Sequence, residues 1–209
     1  MSYRAIVFAL VLGAGACSQS EKERAAVDAP AVPAAQAPAP TVGTDSPAAP
    51  AEPAVAVALD GEGLRLVDSK TGSTRLLAFG ADSAAALQAL TTAWGAPAER
   101  AAQPDCGAGP LTSIRWPNGL TVLVQEAKFT GWSATAPRQP VPAGRAVQTM
   151  SGVGAGSTRG EVEGAYAINV SKTTLGTEFQ AGAMSGVFAD STPGAPVEVL
   201  WAGMSCVYR

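Results

Sequence analysis

Gly152-Val-Gly-Ala-Gly-Ser-Thr-Arg-Gly160 opens the stretch that decides the fold, and Trp201-Ala-Gly-Met-Ser-Cys-Val-Tyr-Arg209 closes it. Within it, Thr158 and Glu161 have the spacing of a capping box, in which each side chain satisfies the other residue's backbone N–H. That spacing predicts a short helix with Val162, Ala165 and Tyr166 turned inward. Residues 169–172, 176–180 and 186–189 follow as short strand-like pieces. Pro196-Val-Glu-Val-Leu-Trp201 alternates and is β-branched, as a strand requires.

The preceding stretch, 54–135, repeats the plan more loosely. Residues 54–59, 63–67 and 73–79 read as strands, the last two joined by a turn at Asp68-Ser-Lys-Thr-Gly72. Asp82 or Ser83 is a candidate helix N-cap. Leu87, Leu90 and Trp94 then share one helical face, and Gly95 and Pro97 end the helix. Cys106-Gly-Ala-Gly-Pro110 is a tight loop. Residues 112–117 and 120–125 flank Asn118-Gly119, the strongest hairpin signal in the chain, and 128–133 supplies a third strand. A connector with Pro137, Pro140 and Pro142 separates the two stretches, and 145–150 reads as one more strand. The expected fold is therefore α+β. Two related helix-plus-antiparallel-sheet units, 54–135 and 136–209, pack as one domain.

Residues 18–53 are dominated by Ala and Pro and carry no aromatic side chain. Such a segment buries too little apolar surface to offset its ordering entropy and reads as a disordered linker over 17–53. Its length corresponds to ~110 Å fully extended or ~35 Å as a coil. Ahead of it, Arg4 and the apolar run Ala5-Ile-Val-Phe-Ala-Leu-Val-Leu-Gly13 read as a signal peptide over 1–16. Ala14-Gly15-Ala16-Cys17 resembles a bacterial lipoprotein signal, which implies a lipid on Cys17. Ala14 stands where that family prefers Leu, and Ala14-Gly15-Ala16 also suits ordinary secretion, which would leave Cys17 a free thiol. Ser18 rather than Asp after the cysteine implies, by the same resemblance, an outer-membrane destination. The expected location is the cell envelope, on the outer membrane and facing the periplasm.

Three cysteines are odd for an exported chain. Lipidation of Cys17 leaves Cys106 and Cys206 as the one possible pair, with two buried free thiols as the alternative. A bond closing that loop contributes on the order of 4.7 kcal/mol in the chain-entropy account.

The chain has no histidine and a net charge of −3. The usual neutral-pH base and commonest metal ligand are missing, so neither a metal site nor a cofactor is expected. No basic cluster marks nucleic-acid binding. The glycine run lacks the lysine of a phosphate loop, and Ser157 stands where a dinucleotide loop needs glycine. An anion at the helix start with Arg159 is a milder reading, against ordinary capping. Glu161, Glu163, Glu178, Asp190 and Glu198 are the acids available for glycoside hydrolysis, none in a diagnostic context. An aspartate-semialdehyde dehydrogenase reading finds no support: there is no dinucleotide loop, no histidine and too little folded chain.

Gly154 to Tyr166, Leu175-Gly-Thr-Glu-Phe179 and Val199-Leu-Trp-Ala-Gly-Met-Ser-Cys206 carry a wider resemblance. The pattern resembles small bacterial envelope lipoproteins built from repeated helix-plus-sheet units. It is similar in plan to the β-lactamase-inhibitor-like domain and to the small lipoprotein of the outer-membrane assembly machine. That resemblance implies a membrane-tethered, non-catalytic protein-binding module, with a protein partner. A small-molecule or cell-wall-glycan binder or hydrolase is the alternative. Trp116, Trp132 and Trp201 are the candidate binding residues, lining a shared concave face if both units form one sheet. Burial of all three in the core is the competing expectation.

Overall fold

A computed structural model describes residues 54–142 and 144–206. The expected signal peptide, Cys17 and the linker through residue 53 lie outside the described residues, as do Val207, Tyr208 and Arg209.

Eleven strands and two helices are described, so the protein is mainly β rather than evenly α+β. β1 (Val55–Asp60), β2 (Gly63–Asp68) and β3 (Thr74–Ala78) form a three-stranded antiparallel sheet. Asp68 closes its second turn by accepting from the backbone N–H groups of Lys70 and Thr71, at 2.9 and 2.8 Å. α1 (Ser83–Trp94) starts at Asp82, whose carboxylate accepts from the Ala85 N–H at 3.0 Å. It ends at Gly95, where φ is 85°, a conformation that favours glycine.

The large sheet has eight strands, all antiparallel. β4 (Glu99–Gln103), β5 (Leu111–Arg115), β6 (Leu120–Gln125) and β7 (Lys128–Thr135) form one meander. After α2 (Arg159–Ala165), β8 (Asn169–Thr173), β9 (Gly176–Ala181), β10 (Met184–Phe188) and β11 (Val197–Gly203) form another. The strand order is β4-β5-β6-β7-β11-β10-β9-β8. Each meander follows a helix, and the two join through their last strands, with Leu200 opposite Ala134 and Ala202 opposite Trp132. The small sheet β1–β3 has no counterpart ahead of α2 among the described residues.

One face of the large sheet is turned to the core. Ile114, Val122, Trp132, Ala134, Phe179, Phe188, Leu200 and Ala202 meet Leu59 and Leu64 of the small sheet, Leu90 of α1 and Val162 of α2 there. Trp116 packs edge-on against Trp94, with centroids 6.5 Å apart, and donates from Nε1 to the Gly95 carbonyl at 3.0 Å.

Several local expectations need correction. Residues 145–150 form no regular strand. Their strand-type pairing is limited to isolated bridges, Thr149 with Leu59 and Gln148 with Gly154, because the chain turns back on itself at 149–153. β4 was not legible: Glu-Arg-Ala-Ala-Gln has weak strand propensity and is held at the sheet edge by pairing with β5. The Asn118-Gly119 hairpin closes through three residues, Pro117 to Gly119, with the Trp116 N–H donating to the Leu120 carbonyl at 2.8 Å. Gly119 there has φ of 93°. α2 ends at Ala165, leaving Ala165 exposed and Tyr166 half-buried, while Val162 is fully buried.

Candidate binding face

The outer face of the large sheet is where the sequence and the fold place a shared surface. The register carries one row of side chains across all eight strands on that face. It runs Glu99, Arg115, Thr121, Ser133, Trp201, Ser185, Gln180, Asn169. Alternation puts these residues opposite the core-facing Ile114, Val122, Trp132, Ala134 and Leu200. The row is mostly hydroxyl and amide, with both halves of the chain contributing.

The three candidate tryptophans do not share that face. Trp116 and Trp132 point into the core and are fully buried. Trp132 reaches across to the small sheet, donating from Nε1 to the Gly63 carbonyl at 2.7 Å and the Asp60 carbonyl at 3.0 Å. Their assignment as binding residues is therefore corrected: they tie the core together. Trp201 alone lies on the outer face, in the middle of the row, and even it is only 5% exposed.

A pocket of about 340 Å³ sits on that face beside Trp201, with Ser113, Thr121, Ser133 and Gln103 on one side and Met204 and Ser205 on the other. The chain reaches this position because β7 and β11 face each other there through Gly131 and Gly203. A Cβ on Gly131 would collide with the Met204 carbonyl oxygen. The Met204 N–H donates to the Thr130 carbonyl at 2.9 Å, so the segment turns over the sheet instead of leaving it. Cys206 then bonds Cys106 in the β4–β5 loop, with Cα atoms 5.1 Å apart. The expected disulfide is present, and Leu111, Leu123 and Met204 pack around it in a second small core.

The lining of this pocket contains no carboxylate. The acids weighed for hydrolysis are mostly occupied elsewhere. Glu161 accepts from the Thr158 N–H at 2.7 Å and the Thr158 hydroxyl at 3.0 Å, completing the predicted capping box. Those backbone and side-chain hydrogen bonds hold its carboxyl below the ordinary value. Glu163 pairs with Arg159 at 2.8 Å, and Arg159 also donates to the Ser191 carbonyl, so this guanidinium serves the helix and its neighbouring loop. Asp190 accepts from the Thr192 hydroxyl and N–H at 2.6 and 2.7 Å, which likewise lower its pKa. Glu178 is buried on the outer face between Ser171 and Val187. Among the described residues no group of three His, Cys, Asp or Glu side chains could hold a metal ion. No described helix is long and apolar enough to cross a membrane.

No protein-family model, curated protein or solved structure matches the chain.

Proposed function

We propose that this chain is an exported envelope lipoprotein, tethered through a lipid on Cys17 and facing the periplasm from the outer membrane, whose folded part is a non-catalytic protein-binding module. The observation that carries the reading is the row of hydroxyl, amide and indole side chains from Thr121 to Asn169, drawn from both halves of the large sheet. A partner surface of this kind works by shape and hydrogen bonding, because nothing around its central pocket can exchange protons near neutral pH. The linker over 17–53 would carry the module clear of the membrane. The disulfide supports an oxidising compartment.

A second reading has an observation of its own. The pocket beside Trp201 combines an indole with hydroxyls and an amide, groups that also suit a neutral glycan.

Both are tested in intact envelopes. Photo-crosslinking residues placed at Thr121, Ser133 and Ser185 should form adducts with one protein partner. Thr121→Arg with Ser133→Arg should abolish capture without changing the melting temperature. Adducts with glycan alone would replace the first reading by the second, and no adduct at any of the three positions would remove the face from consideration. Cys17→Ser should move the protein from the membrane fraction to the soluble one. Wild-type protein that is wholly soluble after export would overturn the anchor.

A further inference from the structure

The disulfide stands apart from the main core. Cys106 is 8% exposed and packs with Leu111 and Leu123, while Met204 and Cys206 lie half-buried against them. None of these residues belongs to the larger cluster that joins both sheets and both helices. Opening the bond therefore leaves the packing of the main core untouched.

The two sides of the bond are held unequally. On the Cys106 side, Gln125 of β6 donates from Nε2 to the Ala108 and Pro110 carbonyls at 3.1 and 3.2 Å. The Gly109 N–H donates to the Cys106 carbonyl at 2.9 Å. That loop keeps its shape without the sulfur bond. On the Cys206 side, β11 ends at Gly203, where φ is 70°. A glycine at the end of an element is a natural pivot. Beyond it, among the described residues, 204–206 are tied down by the disulfide and by one hydrogen bond, from the Met204 N–H to the Thr130 carbonyl at 2.9 Å. Met204, Ser205 and Cys206 also form one wall of the pocket beside Trp201. The wall of that pocket thus hangs on the bond.

We propose that the Cys106–Cys206 bond is a redox latch. Oxidised, it holds the strap 204–206 against the sheet and completes the pocket. Reduced, it lets the strap swing away about Gly203 and opens the pocket into a groove, while both sheets and both helices stay folded. The opening reaction is thiol–disulfide exchange with a dithiol reductant. Its thiolate attacks Sγ of Cys206, the less buried of the two; the S–S bond breaks, and Cys106 leaves as a thiolate that takes up a proton. The reductant's second thiol then displaces Cys206 from the mixed disulfide. Two electrons and two protons pass to the protein, and the reductant is left as a disulfide. Cys106 stays beside Leu111 and Leu123 as a small apolar side chain, and Cys206 goes to water with the strap. The latch concerns the protein's own shape and stands whether the outer face takes a protein or a glycan.

The test uses the full-length exported protein, with any free thiol blocked before excess dithiothreitol is added without denaturant. Amide exchange read by mass spectrometry should rise at least about tenfold over 204–206 and stay within about twofold over α1, β9 and β10. Iodoacetamide should then label Cys206 at least about tenfold faster than Cys106. Cys206→Ser should show the same fast exchange of the strap with no reductant present. A bond that resists dithiothreitol in the folded protein would overturn the proposal. So would unchanged exchange of the strap after verified reduction, exchange that rises equally in α1, β9 and β10, or labelling of Cys106 first.

Discussion

At the scale of single residues, Trp132 joins the two sheets. Its ring is fully buried, and its one donor serves the carbonyls of Asp60 and Gly63 on either side of the β1–β2 turn. Removing the ring removes both the packing and that link. Trp132→Ala should cost ~3–5 kcal/mol, read from the urea midpoint at constant slope. Trp132→Phe keeps most of the ring but strands the carbonyls, and should cost ~1–3 kcal/mol. If Trp132→Ala unfolds at the wild-type midpoint, the residue is not core. The sequence identified this tryptophan as important but could not say which face it takes, since a strand's alternation fixes only that neighbours point apart.

Among the elements, α2 is held by its ends more than by its length. With Val162 as its one buried side chain, it relies on the Thr158–Glu161 box. Thr158→Ala should cost ~1 kcal/mol. The box also carries a pH signature. Hydrogen bonds from the Thr158 N–H and hydroxyl depress the Glu161 carboxyl in the folded state. A depressed carboxyl stabilises fully above its unfolded value, ~4.3, and that stabilisation is lost as pH falls through the lower, folded value. Asp68 and Asp190 act with the same sign, lowered by hydrogen bonds from Thr71 and Thr192 respectively. The melting temperature should therefore drop on acidification below about pH 4.5, less steeply in Glu161→Gln, which removes the titrating carboxyl, than in wild type. An identical acid limb in the two proteins would show that the box does not contribute.

For the whole molecule, the disulfide is the long-range tie. It joins the β4–β5 loop to the segment after β11, residues 100 apart in sequence. Those two places lie on the two different meanders, so the bond also braces the β7–β11 seam. Reduction, or Cys106→Ser with Cys206→Ser, should lower stability by up to ~4.7 kcal/mol in the chain-entropy account. Calorimetry with and without reductant checks this. An unchanged melting temperature on verified reduction would overturn it.

The sequence by itself determined most of the local structure. Capping residues, alternating apolar runs and the Asn118-Gly119 turn act over a few residues, so α1, the start of α2 and ten of the eleven strands were legible at nearly their observed positions, while the strand expected at 145–150 does not form. The Cys106–Cys206 bond was expected on the condition that Cys17 carries a lipid, with two free thiols as the alternative, and the structure has the bond. Tertiary structure alone decided three things. It made β4 a strand, by lending a weak segment the edge of β5. It joined the meanders through β7 and β11 into one sheet, a pairing between residues some seventy apart that no local pattern encodes. It also chose which side of that sheet faces the core, turning Trp116 and Trp132 inward and Trp201 outward. The physical reason is that register and facing are set by what the sheet packs against, here the small β1–β3 sheet and α1, and not by the strands themselves.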